Sequence, residues 1–381
     1  MNLNFLLSLA ALVCALCALF LGLRQRNAMT RLARDLRINR GKKTVRRELN
    51  GQEDFGPPVV VYNPTKSVDW AQLRSLLRAA ARDVSLPEPV WLETTAEDAG
   101  REITRKALET YRPEVVIAAG GDGTVRSVAE ALAGTEVPLG VFPLGTGNLL
   151  ARNLNLPLSS KKDMVRTVLT GVTRTIDFAW LEILEPPGPV PPDAEKMAGP
   201  GKYGFLVIGG VGFDAEIMSS TNPVLKEKIG WLAYVKGALT NLFSEKMTVR
   251  IRPGNAAQEI ETEARSVMFM NCGELPGGIV MERNADPANS WLELAVLDVN
   301  GGIIGWANLV QKMALKGAGI EPKNLPRGEA FSGDITTHRI RTCEVTLTEP
   351  RQVQTDGDVL GKAMRIRAGI DPGALRVRVC H

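Results

Sequence analysis

From residue 59 onward, short apolar runs alternate with stretches whose apolar residues recur every three or four positions. The first pattern suits a strand covered on both faces, the second a helix with one covered stripe. Val59-Val60-Val61-Tyr62 reads as a strand that stops at Asn63-Pro64, a turn signal. The spacing predicts a helix over 70–81, a short strand over 90–92, a helix over 96–110 and a buried strand over 115–119. That strand runs into Gly120-Gly121-Asp122-Gly123, and a helix over 124–133 and a strand over 137–142 follow. Such alternation argues for a parallel, doubly wound sheet.

Past residue 177 the pattern changes. A proline-rich stretch over 185–201 reads as a loop. Strand-like runs then follow at 203–210, 247–252, 265–270, 292–297, 339–347, 364–367 and 375–379, with strong helical periodicity only at 223–242 and 303–315. The expected fold class is an α/β N-terminal domain over 57–177 and a mainly β C-terminal domain over 178–361, followed by a segment over 362–381.

The first residues follow a different rule. Residues 5–23 are nineteen in a row without a charge, long enough to just cross a hydrocarbon core of about 30 Å. A cleaved signal peptide would want positive charge before the apolar run, yet here ten basic residues come after it, between 24 and 47, against Asp35 alone. The positive-inside rule then predicts a single-pass anchor over 1–23 in the cell membrane, with the rest of the chain cytoplasmic. The basic linker over 24–56 would also lie against an anionic membrane surface, at roughly 1 kcal/mol per well-placed basic residue. No aromatic residues interleave with its charges, which argues against a nucleic-acid partner.

Composition narrows the chemistry. A chain of 381 residues can bury two cores without disulfides. Two histidines, His338 and His381, are too few for a Ser-His-Asp hydrolase or a multi-histidine zinc site, so acid–base work falls to carboxylates or lysine. Cys14 and Cys17 sit inside the apolar run without polar neighbours and read as small fillers; Cys272, Cys343 and Cys380 read as reduced thiols.

The strongest chemical signals are two glycine loops. Gly120-Gly121-Asp122-Gly123-Thr124 links a strand to a helix, where glycines let the backbone approach a phosphate and the helix start adds a positive end. An aspartate there would repel a phosphate, so it points to Mg²⁺ or to a hydroxyl; it also suits a helix cap. Leu144-Gly145-Thr146-Gly147-Asn148 repeats the arrangement after the next strand. Loops after successive parallel strands face the same sheet edge, where ligands bind.

GGDGT followed by LGTGN and LLARNL resembles the diacylglycerol-kinase catalytic family, which includes bacterial lipid kinases and sphingosine-kinase relatives. Asn63-Pro64, the segment from Gly210 through Asp214 to Ala215, and Thr355-Asp356-Gly357-Asp358 extend the resemblance toward the C-terminus. It implies an NAD-kinase-like first domain, a β-sandwich second domain, ATP in the cleft between them, and a last segment that returns to the first domain. It further implies ATP bound by Asn63, Thr65, Lys66, Gly120, Gly121, Asp122, Gly123, Thr124, Gly145, Thr146, Gly147 and Asn148, with Mg²⁺ as cofactor. Asp356 would be the general base, Asp358 its orienting partner or a metal ligand, Asp122 the competing candidate for the base, and Asp214 a cleft residue. The lipid substrate lies in the bilayer, diacylglycerol being the default, and no motif identifies it.

Three departures stand out. The opening loop reads NPTKS where relatives have Ser-Gly, Asp358 replaces a glutamate, and Asn289, Ser290 and Glu293 replace residues of a metal-binding stretch, which leaves a structural metal site unassigned. NAD kinase shares the GGDG loop but needs a Gly-Ser-Thr-Ala-Tyr segment that is absent here. An inactive nucleotide- or lipid-binding regulator is the other alternative. Nothing in the sequence sets the oligomeric state, and a homodimer is compatible with it.

Overall fold

The computed structural model describes residues 56–186, 197–212, 246–254, 259–275, 279–299 and 333–380. The expected anchor over 1–23, nearly all of the linker, the helices expected over 223–242 and 303–315, and Asp214 lie outside these residues. No helix among the described residues is long and apolar enough to cross a membrane.

The first half begins with β1 (Val59–Tyr62), α1 (Trp70–Asp83), β2 (Val90–Glu93), α2 (Arg101–Tyr111), β3 (Val116–Gly120), α3 (Asp122–Leu132) and β4 (Leu139–Pro143). Its last two helices are α4 (Leu149–Asn153) and α5 (Lys161–Thr170). The strands are parallel in the order β2-β1-β3-β4. Alternate side chains leave opposite faces of a strand, and both faces are covered. Val60, Ile117, Ala119 and Phe142 pack under α1 and α5. Val59, Val61, Val116 and Ala118 pack under α2, α3 and α4.

Local sequence explains the helices. Asp69 caps α1 by accepting from the Gln72 N–H at 2.9 Å, and Leu73, Leu77 and Ala81 form its buried stripe at four-residue spacing. Ser160 caps α5 by accepting from the Asp163 N–H. α2 begins at Arg101 rather than at 96, because the Asp98 carboxylate takes the N–H groups of Gly100, Glu102 and Ile103 and sets the start there.

The second half is built from β5 (Val172–Ile183), β6 (Gly201–Phe205), β7 (Ile208–Gly212), β8 (Met247–Pro253), β9 (Ile260–Ala264) and β10 (Ser266–Met270). It continues with β11 (Glu274–Leu275), β12 (Ile279–Val280), β13 (Leu292–Val299), β14 (Gly333–Ile340), β15 (Thr342–Thr355) and β16 (Asp358–Val379). These strands pair with one another antiparallel and wrap a core that includes Phe205, Val249, Phe269, Leu294, Val345 and Ile366. Hydrogen bonding does not stop between the halves. The sheet runs β14-β13-β10-β7-β15-β16-β4-β3-β1-β2, with β16 beside β4 through Val377 and Leu139.

Two runs that read as single strands are divided. The run 203–210 breaks at Leu206 and Val207, between β6 and β7. The run 339–347 breaks at Arg341, between β14 and β15. Conversely, 364–367 and 375–379 are parts of one long strand, β16.

Candidate active site

β1, β3 and β4 end on one edge of the parallel sheet, with Tyr62 level with Ala119 and Gly120 level with Pro143. The chain therefore delivers Asn63, the Gly120–Gly123 loop and the Leu144–Asn148 loop side by side. Backbone hydrogen bonds lock them together, Asn63 N–H to Ala119 O at 3.0 Å and Leu144 N–H to Gly120 O at 2.9 Å. The loops touch backbone to backbone: a methyl group on Gly145 would lie 2.7 Å from the Gly121 Cα. Lys66 reaches the same place, its Nζ 3.9 Å from where a methyl group on Gly121 would be.

Not every expected residue faces outward. The Asn63 Oδ1 accepts from the N–H and hydroxyl of Thr65, at 3.0 and 2.8 Å, and shapes the opening turn. Thr124 is only 5 % exposed and lies beneath Gly120. Asn148, at φ 48°, closes its own loop by accepting from Gly145 N–H and donating to Gly145 O. Asp122 acts between the two loops: its carboxylate accepts from Asn148 N–H at 3.0 Å and Leu149 N–H at 2.6 Å, capping α4 from a neighbouring segment. Thr146 is exposed at the loop tip.

From the second half comes the turn between β15 and β16. Asp-Gly between two strands is a two-residue hairpin signal, and Asp356 and Gly357 have φ of 47° and 89° as such a turn requires. The Asp356 carboxylate points inward. Its Oδ2 accepts from Leu206 N–H at 2.7 Å, and its Oδ1 from Val207 and Ile208 N–H at 2.9 and 3.0 Å. Those three bonds explain the break between β6 and β7, because the carboxylate replaces a strand as partner for this backbone. Burial pushes the Asp356 carboxyl up to about 6, against the opposing pull of Arg126 and the three N–H groups.

Asp358 faces the opposite way. Its side chain is 49 % exposed, and its Oδ2 would lie 3.1 Å from a methyl group on Gly123. One carboxylate of the turn thus anchors it and the other stands over the first glycine loop. Arg126 on α3 joins the two halves here. Its Nη1 donates to the Thr355 carbonyl at 2.6 Å and the Thr355 hydroxyl at 2.9 Å, and its Nη2 to Asp358 Oδ2 at 2.9 Å.

Arg126 and Glu130 fall outside the motifs read from the sequence, and Asn153, inside LLARNL, is given no role there. Glu130 accepts from Gly204 N–H at 2.6 Å, and Asn153 exchanges two hydrogen bonds with the Glu274 backbone. A signal for the first two was present, since Arg126 and Glu130 stand four apart on a helix that otherwise buries apolar residues.

The glycine loops and Lys66 fit the phosphates of a nucleotide. A metal fits less well: among the described residues no three acidic, histidine or cysteine side chains gather. In the stretch expected to report a structural cation, Asp286 pairs with Arg174 at 2.9 Å and Glu293 with Arg339 at 2.8 Å. Arginine charge occupies both carboxylates.

Residues 57–181 match the diacylglycerol kinase catalytic domain model. A Pseudomonas aeruginosa protein named as a YegS-like lipid kinase is 28 % identical over 79 % of this chain and 86 % of its own. The Bacillus subtilis diacylglycerol kinase is 28 % identical over 79 % of this chain and 89 % of its own. A longer Synechocystis protein is matched over only 57 % of its length, at 23 % identity over 71 % of this chain. Among solved structures, a diacylglycerol kinase from Bacillus anthracis superposes with a TM-score of 0.57 at 18 % identity, over 86 % of this chain and 98 % of that one, a likeness of fold. Residues 57–181 thus match a diacylglycerol kinase catalytic domain, and the chain is similar to diacylglycerol kinases and YegS-like lipid kinases over most of its length.

Proposed function

We propose that the protein transfers the γ-phosphate of ATP to the hydroxyl of a membrane lipid, with diacylglycerol as the first substrate to test. The observation that carries this reading is the meeting of Gly121, Gly145 and Lys66 from one half with the Asp358 carboxylate from the other. Phosphoryl transfer needs held phosphates, offset charge and an aligned nucleophile, and little covalent chemistry from the protein.

In this reading the loop backbones and Lys66 hold the phosphates. Asp358 orients the acceptor hydroxyl at the loop. The family resemblance gives the proton to Asp356: its Oδ2, which accepts one N–H among the described residues, would turn from the inward position toward the loop and take the hydroxyl proton as the oxygen attacks the γ-phosphorus and ADP leaves. A carboxyl titrating at about 6 is ionised at neutral pH and a better proton acceptor than an ordinary aspartate. Mg²⁺ would supply charge neutralisation on the phosphates, and Asp358 is the described carboxylate placed to touch it. Asp122 shapes the two loops in this scheme and does not take the proton, both its oxygens being engaged by α4.

The anchor over 1–23 and the basic stretch after it complete the proposal. They would confine the enzyme to the cytoplasmic surface where its substrate lies and raise the effective substrate concentration.

The test is a transfer assay with full-length protein, Mg²⁺, γ-labelled ATP and mixed micelles of diacylglycerol, with a total membrane lipid extract in parallel. Label in phosphatidic acid is the expected result. Label in another extracted lipid alone would replace the substrate and keep the kinase. ATP binding without label in any lipid would overturn the catalytic reading.

A further inference from the structure

The kinase reading leaves an electrostatic problem at the mouth of the site. Asp358 stands over the loop that is to take a triphosphate, with its carboxylate half exposed and close to Gly123. Two anions approaching the same loop repel each other, and the loop glycines carry no side-chain charge to offset them. Lys66 approaches from the Gly121 side and makes no ion pair with Asp358 among the described residues.

Arg126 is the group that meets this problem. It lies one turn into α3 from Asp122, so the helix that begins at the glycine loop also carries the cation. Its side chain is 14 % exposed. The fork of its guanidinium is divided between a neutral and a charged acceptor: Nη1 takes both oxygens of Thr355 and Nη2 takes Asp358 Oδ2. The backbone bond fixes where the turn sits, and the charged bond fixes which way Asp358 points. A planar, permanently charged fork can do both at once, whereas an ammonium group cannot span the same acceptors. These residues are 229 and 232 positions apart in the chain, so the bonds are a tie between the two halves at the reacting edge.

We propose, on the basis of the kinase reading, that Arg126 is a positioning residue which seats the Thr355–Asp358 turn on the glycine loop and cancels the Asp358 charge there, so that the loop can accept the triphosphate of ATP. Arg126 acts through Asp358 and the loop, and its loss is felt first in nucleotide affinity.

The experiment measures ATP affinity by calorimetry on the full-length protein in EDTA, so that no metal contributes. Steady-state KM for ATP and kcat are then measured with Mg²⁺. Arg126→Met should weaken ATP about threefold to tenfold, the scale of uncovering a half-exposed carboxylate beside the phosphates. Arg126→Lys should recover part of the loss. Asp358→Asn should leave metal-free ATP binding equal or tighter, and adding it to Arg126→Met should restore most of the lost affinity. With Mg²⁺, Arg126→Met should raise KM for ATP by a larger factor than it lowers kcat. Equal ATP affinity in Arg126→Met and wild type would overturn the proposal. So would loss of affinity in Asp358→Asn, or a double variant no better than Arg126→Met. Asp358→Asn keeps the test decisive should Arg126→Met fail to fold, because it changes a half-exposed side chain. Failure of the kinase reading looks different: the wild-type protein itself binds no ATP, or binds it and labels no lipid.

Discussion

The two ends of β15 handle a buried acid in opposite ways. Near its start, Glu344 lies in register with Arg252 on β8 and Arg367 on β16. Its carboxylate takes guanidinium groups from Arg365 at 2.6 Å, Arg252 at 3.1 Å and Arg367 at 3.2 Å. Burial works against that charge, yet Arg365, Arg367 and Arg252 together hold the Glu344 carboxyl below its ordinary value. Every partner comes from neighbouring strands of one sheet. Twelve residues later, roughly 40 Å along an extended strand, Asp356 is met by backbone N–H groups and Asp358 by a cation from the other half. An acid completed by its own sheet acts as a brace. An acid completed only when two halves meet reports whether the site is assembled.

That contrast can be broken in order of effect. Asp358→Asn and Asp356→Asn should each lower turnover by about 10² or more, the upper part of the range for lost proton transfer and alignment. Asp358→Asn should cost less than about 1 kcal/mol in urea unfolding, because its pair is half exposed. Glu344→Gln should do the reverse, losing about 1–2 kcal/mol of stability while kcat stays at the wild-type level, since it leaves three partly exposed guanidinium groups facing a neutral amide.

The pH dependence of stability separates the two acids further. Glu344 has a depressed folded value, so its contribution is present above the ordinary glutamate range and lost as pH falls through the folded value. Asp356 runs the other way. With 3.8 as its ordinary value and about 6 when folded, the folded chain holds the proton longer, and stability falls as pH rises from about 4 to about 6, by about 3 kcal/mol. Urea midpoints between pH 3 and 8 should therefore lose their mid-range decline in Asp356→Asn and part of their acid decline in Glu344→Gln. Asn153→Ala, which removes two hydrogen bonds to the Glu274 backbone, should cost about 1–2 kcal/mol in the same urea unfolding.

The same contrast explains what could be read from the sequence. β1 lies where its apolar run lies, and both glycine loops fall on the sheet edge that the alternation predicted, because parallel strands are specified by contiguous residues. The run 203–210 was not legible as two strands. Its break is imposed by a carboxylate some 150 positions away, and nothing in Leu206-Val207 announces it. α4 was hidden inside a loop motif and is only five residues long. The inward turn of Asp356 and the outward turn of Asp358 follow from the hairpin geometry, which spacing alone does not encode. The pairing of Asp286 with Arg174 and of Glu293 with Arg339 joins residues 112 and 46 positions apart in the chain.

β16 carries a consequence for how the chain is made. β4 is flanked by β3 on one side and on the other by a strand whose Val377 is synthesised more than two hundred residues after Leu139. Leu375 and Val377 are fully buried in the same core as Leu139 and Ile176. While the ribosome is still translating the second half, the nascent first half has an open strand edge and a gap where those two side chains belong, a state prone to pairing with other chains. The segment that matches the catalytic-domain model, 57–181, is therefore not expected to fold as a unit by itself. A gene truncated at that boundary should yield aggregate, whereas supplying the 358–379 strand should let the sheet close.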